Sequence, residues 1–213
     1  LVGLALLVVS SSIMVKLWKM REGPILLRQQ MIAVNGKWAN VSNIEVISHN
    51  IDLKWVGDEI MSTSDMLVKN KSNILLDTIY FTLNPGLTVD EVLVEDKSMK
   101  INRDLQIVSI HDGISIAPDQ ELKLRIKYHG SITEPVAHLD VDEKRYESAN
   151  DYFMYSLKKK YTFLQDDYVL LTNDVLWYPD TRVGFNRKSA GGKQDSFIDF
   201  RLSVKTPPNK TPI

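Results

Sequence analysis

Cysteine is absent from the 213-residue chain, which excludes disulfides, thiolate metal sites and cysteine nucleophiles. The absence fixes no compartment, because oxidising compartments permit disulfides without requiring them. Histidine is scarce: His49, His111, His129 and His138 are scattered, and no two stand at a His-x-x-x-His spacing. No Gly-x-Ser-x-Gly, His-Glu-x-x-His or dinucleotide-binding glycine fingerprint occurs. An excess of one charge is also lacking. The 26 Lys+Arg against 27 Asp+Glu exclude the basic surplus of a dedicated nucleic-acid binder. There is no internal repeat, no low-complexity tract, and none of the alternating helix and strand patterns that build βαβ units.

Long hydrophobic runs are lacking too, with one exception at the start. Residues 1–15 carry no charge, and their only polar side chains are Ser10, Ser11 and Ser12, which can bond back to a helix. A bilayer core needs roughly 20 helical residues, so this segment either began upstream or is an interfacial or signal-type element. An opening Leu in place of Met, without a basic leader, favours a truncated transmembrane helix; a buried helix of a soluble domain is the plain alternative. Trp18 with Lys16, Lys19 and Arg21 reads as the aromatic and cationic belt where such a helix leaves the bilayer, making membrane lipid its expected partner. Five bases against one acid over residues 16–37 form a basic collar on an otherwise mildly acidic chain. The positive-inside bias is summed over all loops, so the collar sets no side of the membrane. Gly23-Pro24 is expected to break the helix, and the division is a hydrophobic segment at 1–22, a connector at 23–40 and a folded domain at 41–213.

The folded domain shows strand patterning. Ile51, Leu53 and Trp55 alternate with polar neighbours, Gly57-Asp58 turns, and Met66-Leu67-Val68 follows. Leu75, Ile79, Phe81 and Leu83 fall on one face up to the Asn84-Pro85-Gly86 turn. Val89, Val92 and Val94 come next, then residues 105–110, a turn at His111-Asp112-Gly113, and Ile114 with Ile116. The clearest alternation is Leu122, Leu124, Ile126 and Tyr128 against Glu121, Lys123, Arg125 and Lys127. A matching strand closes the chain, with Ile198, Phe200, Leu202 and Val204 against Asp199, Arg201, Ser203 and Lys205. At least seven short strands predict an all-β fold, an antiparallel two-sheet sandwich behind the N-terminal hydrophobic helix. Residues 142–165, charged and aromatic, read as a helix or excursion over the sandwich.

Candidate chemistry is sparse. His138, Asp140 and Asp142 share one side of an extended segment and could hold a cation, although a polar strand edge explains them more simply. Asp166 and Asp167 point to opposite faces of a strand and do not cooperate. Lys158-Lys159-Lys160 among Tyr152, Phe153, Tyr155, Tyr161 and Phe163 could stack bases, yet such a short run on an acidic body reads as a solvated or membrane-facing surface. Gly191-Gly192 between Lys188 and Lys193 lacks phosphate-loop spacing and reads as a hairpin tip.

The order of several motifs resembles the N-terminal saddle-shaped β-sandwich of the gluzincin zinc aminopeptidases, the aminopeptidase N type, over residues 40–213. The motifs are Ile51-Asp52-Leu53, the 122–128 strand running into His129-Gly130, and Leu176-Trp177-Tyr178-Pro179. They end with the 197–204 strand running into Lys205-Thr206-Pro207. The pattern looks most like the membrane-bound bacterial branch fused to a permease-like region. The resemblance implies a non-catalytic domain flanking the substrate site, with no catalytic or metal residue of its own. Zinc, peptide substrates and a catalytic domain are then expected beyond Ile213. The family's Thr-Gln pair, whose glutamine helps hold the substrate amine, stands here as Thr172-Asn173, closer to Pro179 and without the usual intervening arginine. Asn173 is thus the candidate substrate contact. The other class of function open to this sequence is a sandwich interaction module of a transporter or surface complex without peptidase activity.

Overall fold

The computed structural model describes residues 2–137, 139, 162–165, 168–183 and 198–205, with the side chains of residues 2–9 and 19–21 outside the description. Helix α1 (Val2–Trp38) is followed by β1 (Glu45–Val56), β2 (Glu59–Lys69), β3 (Ile79–Thr82), β4 (Leu87–Val94), β5 (Lys97–Ser98) and β6 (Asn102–Asp104). Next come β7 (Ile107–Ile110), β8 (Glu121–Ser131), β9 (Thr162–Leu164), β10 (Val169–Leu171) and β11 (Asp199–Lys205), with 3₁₀ turns at Glu134–Val136 and Asn173–Val175.

Strand β8 follows its sequence closely: Leu122, Leu124, Ile126 and Tyr128 are buried, and Glu121, Lys123, Arg125 and Lys127 are exposed. It lies inside a six-stranded sheet of order β11-β1-β2-β8-β4-β5, while β3-β7-β6 form a second sheet and β10-β9 a separate hairpin. The two larger sheets enclose the main core, in which Ile51, Leu53, Ile60, Ile126 and Tyr128 of the first join Ile79, Phe81, Val108 and Ile110 of the second. The close approach of β4 to β8 depends on two glycines. A Cβ on Gly86 would fall 2.1 Å from the Ser131 carbonyl oxygen, and Gly130, at φ +135°, faces the Gly86 carbonyl at 2.5 Å from its own Cβ position.

Three expectations are corrected. The sandwich is not wholly antiparallel: β11 pairs parallel to β1, Asn50 opposite Arg201 and Lys54 opposite Lys205. Side-chain period alone carries no information on strand direction, which is set by where the remote partner lies. Leu75 is exposed and lies outside β3, where Leu76 instead makes the inward bridge to Ile116. Finally, Gly23-Pro24 does not end the helix, which runs on to Trp38 with Pro24 inside it. A helical proline forfeits one hydrogen bond and crowds the preceding turn, and the docking of the segment beyond it offsets that loss.

That docking makes a third layer. Strands β3 and β7 are buried at every position because both faces are covered. Ile79 and Phe81 face the main core, whereas Tyr80 and Ile107 form a small second cluster with Val34, flanked by Trp38. The rings of Trp38 and Tyr80 lie 4.8 Å apart. Gln106 donates from Nε2 to the Met31 carbonyl at 2.8 Å and to Asn35 Oδ1 at 2.7 Å. The buried Arg28 guanidinium donates to the Pro135 carbonyl at 3.2 Å and to that of Ala137. Positions 28, 31, 34–35 and 38 repeat at helical spacing, so one stripe of the helix faces the sheet.

By contrast Ile13, Met14, Val15, Leu17 and Trp18 are more than half exposed. Removal of residues 1–22 is therefore expected to leave the unfolding free energy of the sandwich within about 0.5 kcal/mol of the full chain's, the range of surface changes. Equilibrium unfolding of both forms, followed by circular dichroism, checks this; loss of the β signal on truncation would contradict it.

Candidate functional site

The Leu176-Trp177-Tyr178-Pro179 segment is not a strand end. Thr172 leads into the 3₁₀ turn Asn173–Val175, and Leu176 then takes a left-handed conformation at φ 52°. This reversal sends Trp177 into the main core, where it is 6% exposed, and leaves Tyr178 half-buried with its ring edge-on to Trp177 at 4.8 Å. Asn84 fixes the segment from the other side. Its Nδ2 donates to the carbonyls of Val175 at 2.7 Å and Thr133 at 3.0 Å, and its Oδ1 accepts from the amides of Gly86 and Thr133. Asp180 continues into a bridge with Thr82 of β3 and forms an ion pair with Arg182 at 2.7 Å. Asn173, the residue singled out from the sequence, stands exposed at the start of the 3₁₀ turn, its carbonyl accepting from the Leu176 amide.

Beside this segment lies a constellation that sequence reading missed. Buried His49 places Nε2 3.0 Å from Ser64 Oγ, which in turn lies 3.5 Å from the Tyr128 hydroxyl. The rings of Tyr178 and Phe200 pack edge-on against His49 at 5.5 and 5.8 Å. Burial drives the His49 pKa down to about 4, with Asp180 and Asp65 offsetting part of the shift. Burial likewise pushes Tyr128 up to about 12, against the lowering effect of Ser62 and Ser64. The available signal was parity: His49 shares the inward phase of Ile51 and Leu53, and Ser64 that of Met66 and Val68. A serine beside a histidine is the start of a nucleophile pair, but here Ser64 is 0% exposed and the adjoining cavity holds about 50 Å³, too little for a substrate. The cluster is an internal hydrogen-bond chain between β1, β2 and β8.

An open groove of about 450 Å³ lies on the outer face of the six-stranded sheet, where Arg125 pairs with Asp65 at 2.5 Å near Asn50, Lys123 and Asp96. Of its charges, Arg125 and Asp65 are matched across strands. The described histidines are also engaged: His111 contacts Ser109 at 2.8 Å and Thr78 at 3.2 Å, and His129 pairs with Asp90 at 2.9 Å, which raises its pKa. Among the described residues no group of three or more His, Cys, Asp or Glu converges, so these residues do not fit a zinc centre. His138, Asp140 and Asp142 lie outside the described residues, as do Asp166-Asp167, Lys158–Lys160 and Gly191-Gly192.

Comparisons with known proteins give the following. No protein-family profile matches the chain, and no curated protein does. Among solved structures it is similar to the M1 zinc metallopeptidase of Deinococcus radiodurans and to a mutant of that enzyme bound to a Tyr-Ser-Ala substrate, each at 16% identity and a TM-score of 0.39. A two-domain M1 zinc metallopeptidase mutant bound to L-arginine is similar to the same degree. The similarity covers 43% of this chain and 21% of each of those, so the chain spans about a fifth of their length.

Proposed function

We propose that this chain is a non-catalytic β-sandwich domain that flanks the substrate site of a zinc aminopeptidase-like catalytic region, in the membrane-bound arrangement fused to a permease-like part. The observation that carries the reading is the setting of Asn173. It is exposed on a short turn whose neighbours Val175 and Trp177 are buried and whose backbone is clamped by Asn84. A substrate-positioning group needs such a held backbone, since a misplaced contact forfeits most of its value. Its carboxamide oxygen would accept from a peptide's α-ammonium group. In this reading zinc and the general base belong to the catalytic region.

Membrane attachment is part of the proposal. Among the described residues no helix is long and apolar enough to cross a membrane. What supports attachment is the uncharged stretch of residues 1–15, most of it outside the described side chains, together with the exposed Leu17 and Trp18 beside Lys16. Residues 1–15 then enter lipid, the belt of residues 16–22 lies at its surface, and residues 28–38 dock on the sandwich.

The test is kinetic. In the full-length protein loaded with zinc, Asn173→Ala is expected to raise KM for aminoacyl substrates about tenfold, the worth of one hydrogen bond to a charged group. An unchanged KM removes Asn173 from the site. Absence of any zinc-dependent hydrolysis by the full-length protein sinks the peptidase reading and leaves the sandwich as an interaction module.

A further inference from the structure

Strand β11 is the edge of the six-stranded sheet, and its outer rim has no neighbouring strand among the described residues. Its core-side residues are incompletely covered: Phe200 and Leu202 are each 42% exposed, and Ile198 just before them 39%. A free, partly apolar edge is normally blunted by charged side chains, lysine above all, by proline or by a covering element. This one carries Asp199 at its start, Arg201 within it and Lys205 at its end.

The geometry points to self-pairing: β11 joins antiparallel to β11 of a second copy of this chain, about a two-fold axis at Leu202. In that register Asp199 of each copy stands opposite Lys205 of the other, Phe200 opposite Val204, and Arg201 opposite Ser203. Both ends of the strand gain an ion pair, and the apolar residues of the two copies make one continuous strip.

The protomer itself carries the second argument. On the outer face Lys54 and Lys205 are in register, a like-charge cross-strand pair, and among the described residues neither lies in an ion pair with a carboxylate. The next row carries Asp52 and the Glu91–Lys127 pair, and the row beyond it the Asp65–Arg125 pair. Like charges directly opposite destabilise a sheet. The row that lacks an acid receives one when the second copy brings Asp199 alongside Lys205. The pairing is isologous, so it closes at two copies and leaves no new edge of the same kind.

Sedimentation equilibrium of the full 213-residue chain in density-matched detergent tests this. A dimer is expected for the native sequence. Asp199→Lys and Lys205→Asp should each weaken it about tenfold or more, since each loses an attraction and gains a repulsion at two symmetric places. The double variant carrying both substitutions should restore it. Neither substitution threatens the protomer, because residue 199 faces Ser48 and an aspartate at 205 would face Lys54; thermal midpoints within a few degrees of the native value verify that. A chain that stays monomeric throughout overturns the inference and leaves the edge to some other strand. A dimer indifferent to both single reversals overturns it as well, placing self-association in α1 or another surface.

Discussion

Trp177→Ala is expected to cost about 3–5 kcal/mol of folding stability, a large part of what a typical domain has. The indole is 6% exposed within the main core and leans edge-on against Tyr178. The backbone on either side is held, with Leu176 in its left-handed turn and the Val175 and Leu176 carbonyls both bonded to Asn84. A cavity that cannot relax keeps its full cost. Tyr178→Ala removes a half-buried ring that touches His49 and Phe200 and should cost clearly less. Urea unfolding of both variants provides the comparison. An unchanged midpoint for Trp177→Ala, or a larger loss for Tyr178→Ala, would show that the core assignment of this segment is wrong.

The same segment shows where sequence reasoning reaches its limit. Treating residues 176–179 as extended puts Trp177 and Tyr178 on opposite faces, with Tyr178 outward. The left-handed Leu176 breaks that parity, and both rings turn at least partly inward. Nothing in a Leu-Trp-Tyr-Pro string announces a positive φ at a leucine, which is uncommon outside glycine, asparagine and aspartate. Strand β8 was legible because one face meets the core and the other meets water. Strands β3 and β7 gave a weaker signal because they are sandwiched between a sheet and a helix, so Tyr80 and Phe81, adjacent in sequence, are both buried. The covering helix was itself hidden. Arg28 occupies the docking stripe where an apolar residue would have completed the pattern with Met31, Val34 and Trp38, and Gly23-Pro24 suggested a stop. At the candidate site, Asn173 was singled out from the sequence but the Asn84 clamp beside it was not, since Asn84 lies some 90 residues away in the chain.

Acidification should weaken the fold through His49. The buried ring titrates at about 4 in the folded protein against 6.5 when exposed. Well above pH 6.5 it is neutral in both states and contributes no pH dependence. As the pH falls from 6.5 towards 4 the unfolded chain takes up a proton that the folded one refuses, so stability drops by about 1.4 kcal/mol per pH unit, roughly 3 kcal/mol in all. The groups around the ring explain why it resists charge. Ser64 contacts Nε2 and the rings of Tyr178 and Phe200 wall it in, while Asp180 and Asp65 act only at a distance and Asp180 is already paired with Arg182. His129, whose pKa is raised above its ordinary value by Asp90, adds a pH dependence of its own at the upper end of this window and above it. The informative quantity is therefore a difference in slope. In His49→Gln, where the side chain can still bond Ser64 but cannot ionise, the pH dependence of unfolding free energy between 6.5 and 4 should be shallower by close to one proton. Protonation of His49 would also strike at the contact between β1, Tyr178 and Phe200 of β11, so loosening of β11 should accompany the loss. Hydrogen exchange at residues 199–205, faster at pH 5 than at pH 7 after correction for intrinsic rates in the native chain but not in His49→Gln, completes the test. Equal slopes in the two proteins would mean that the ring is protonated and solvated in the folded state.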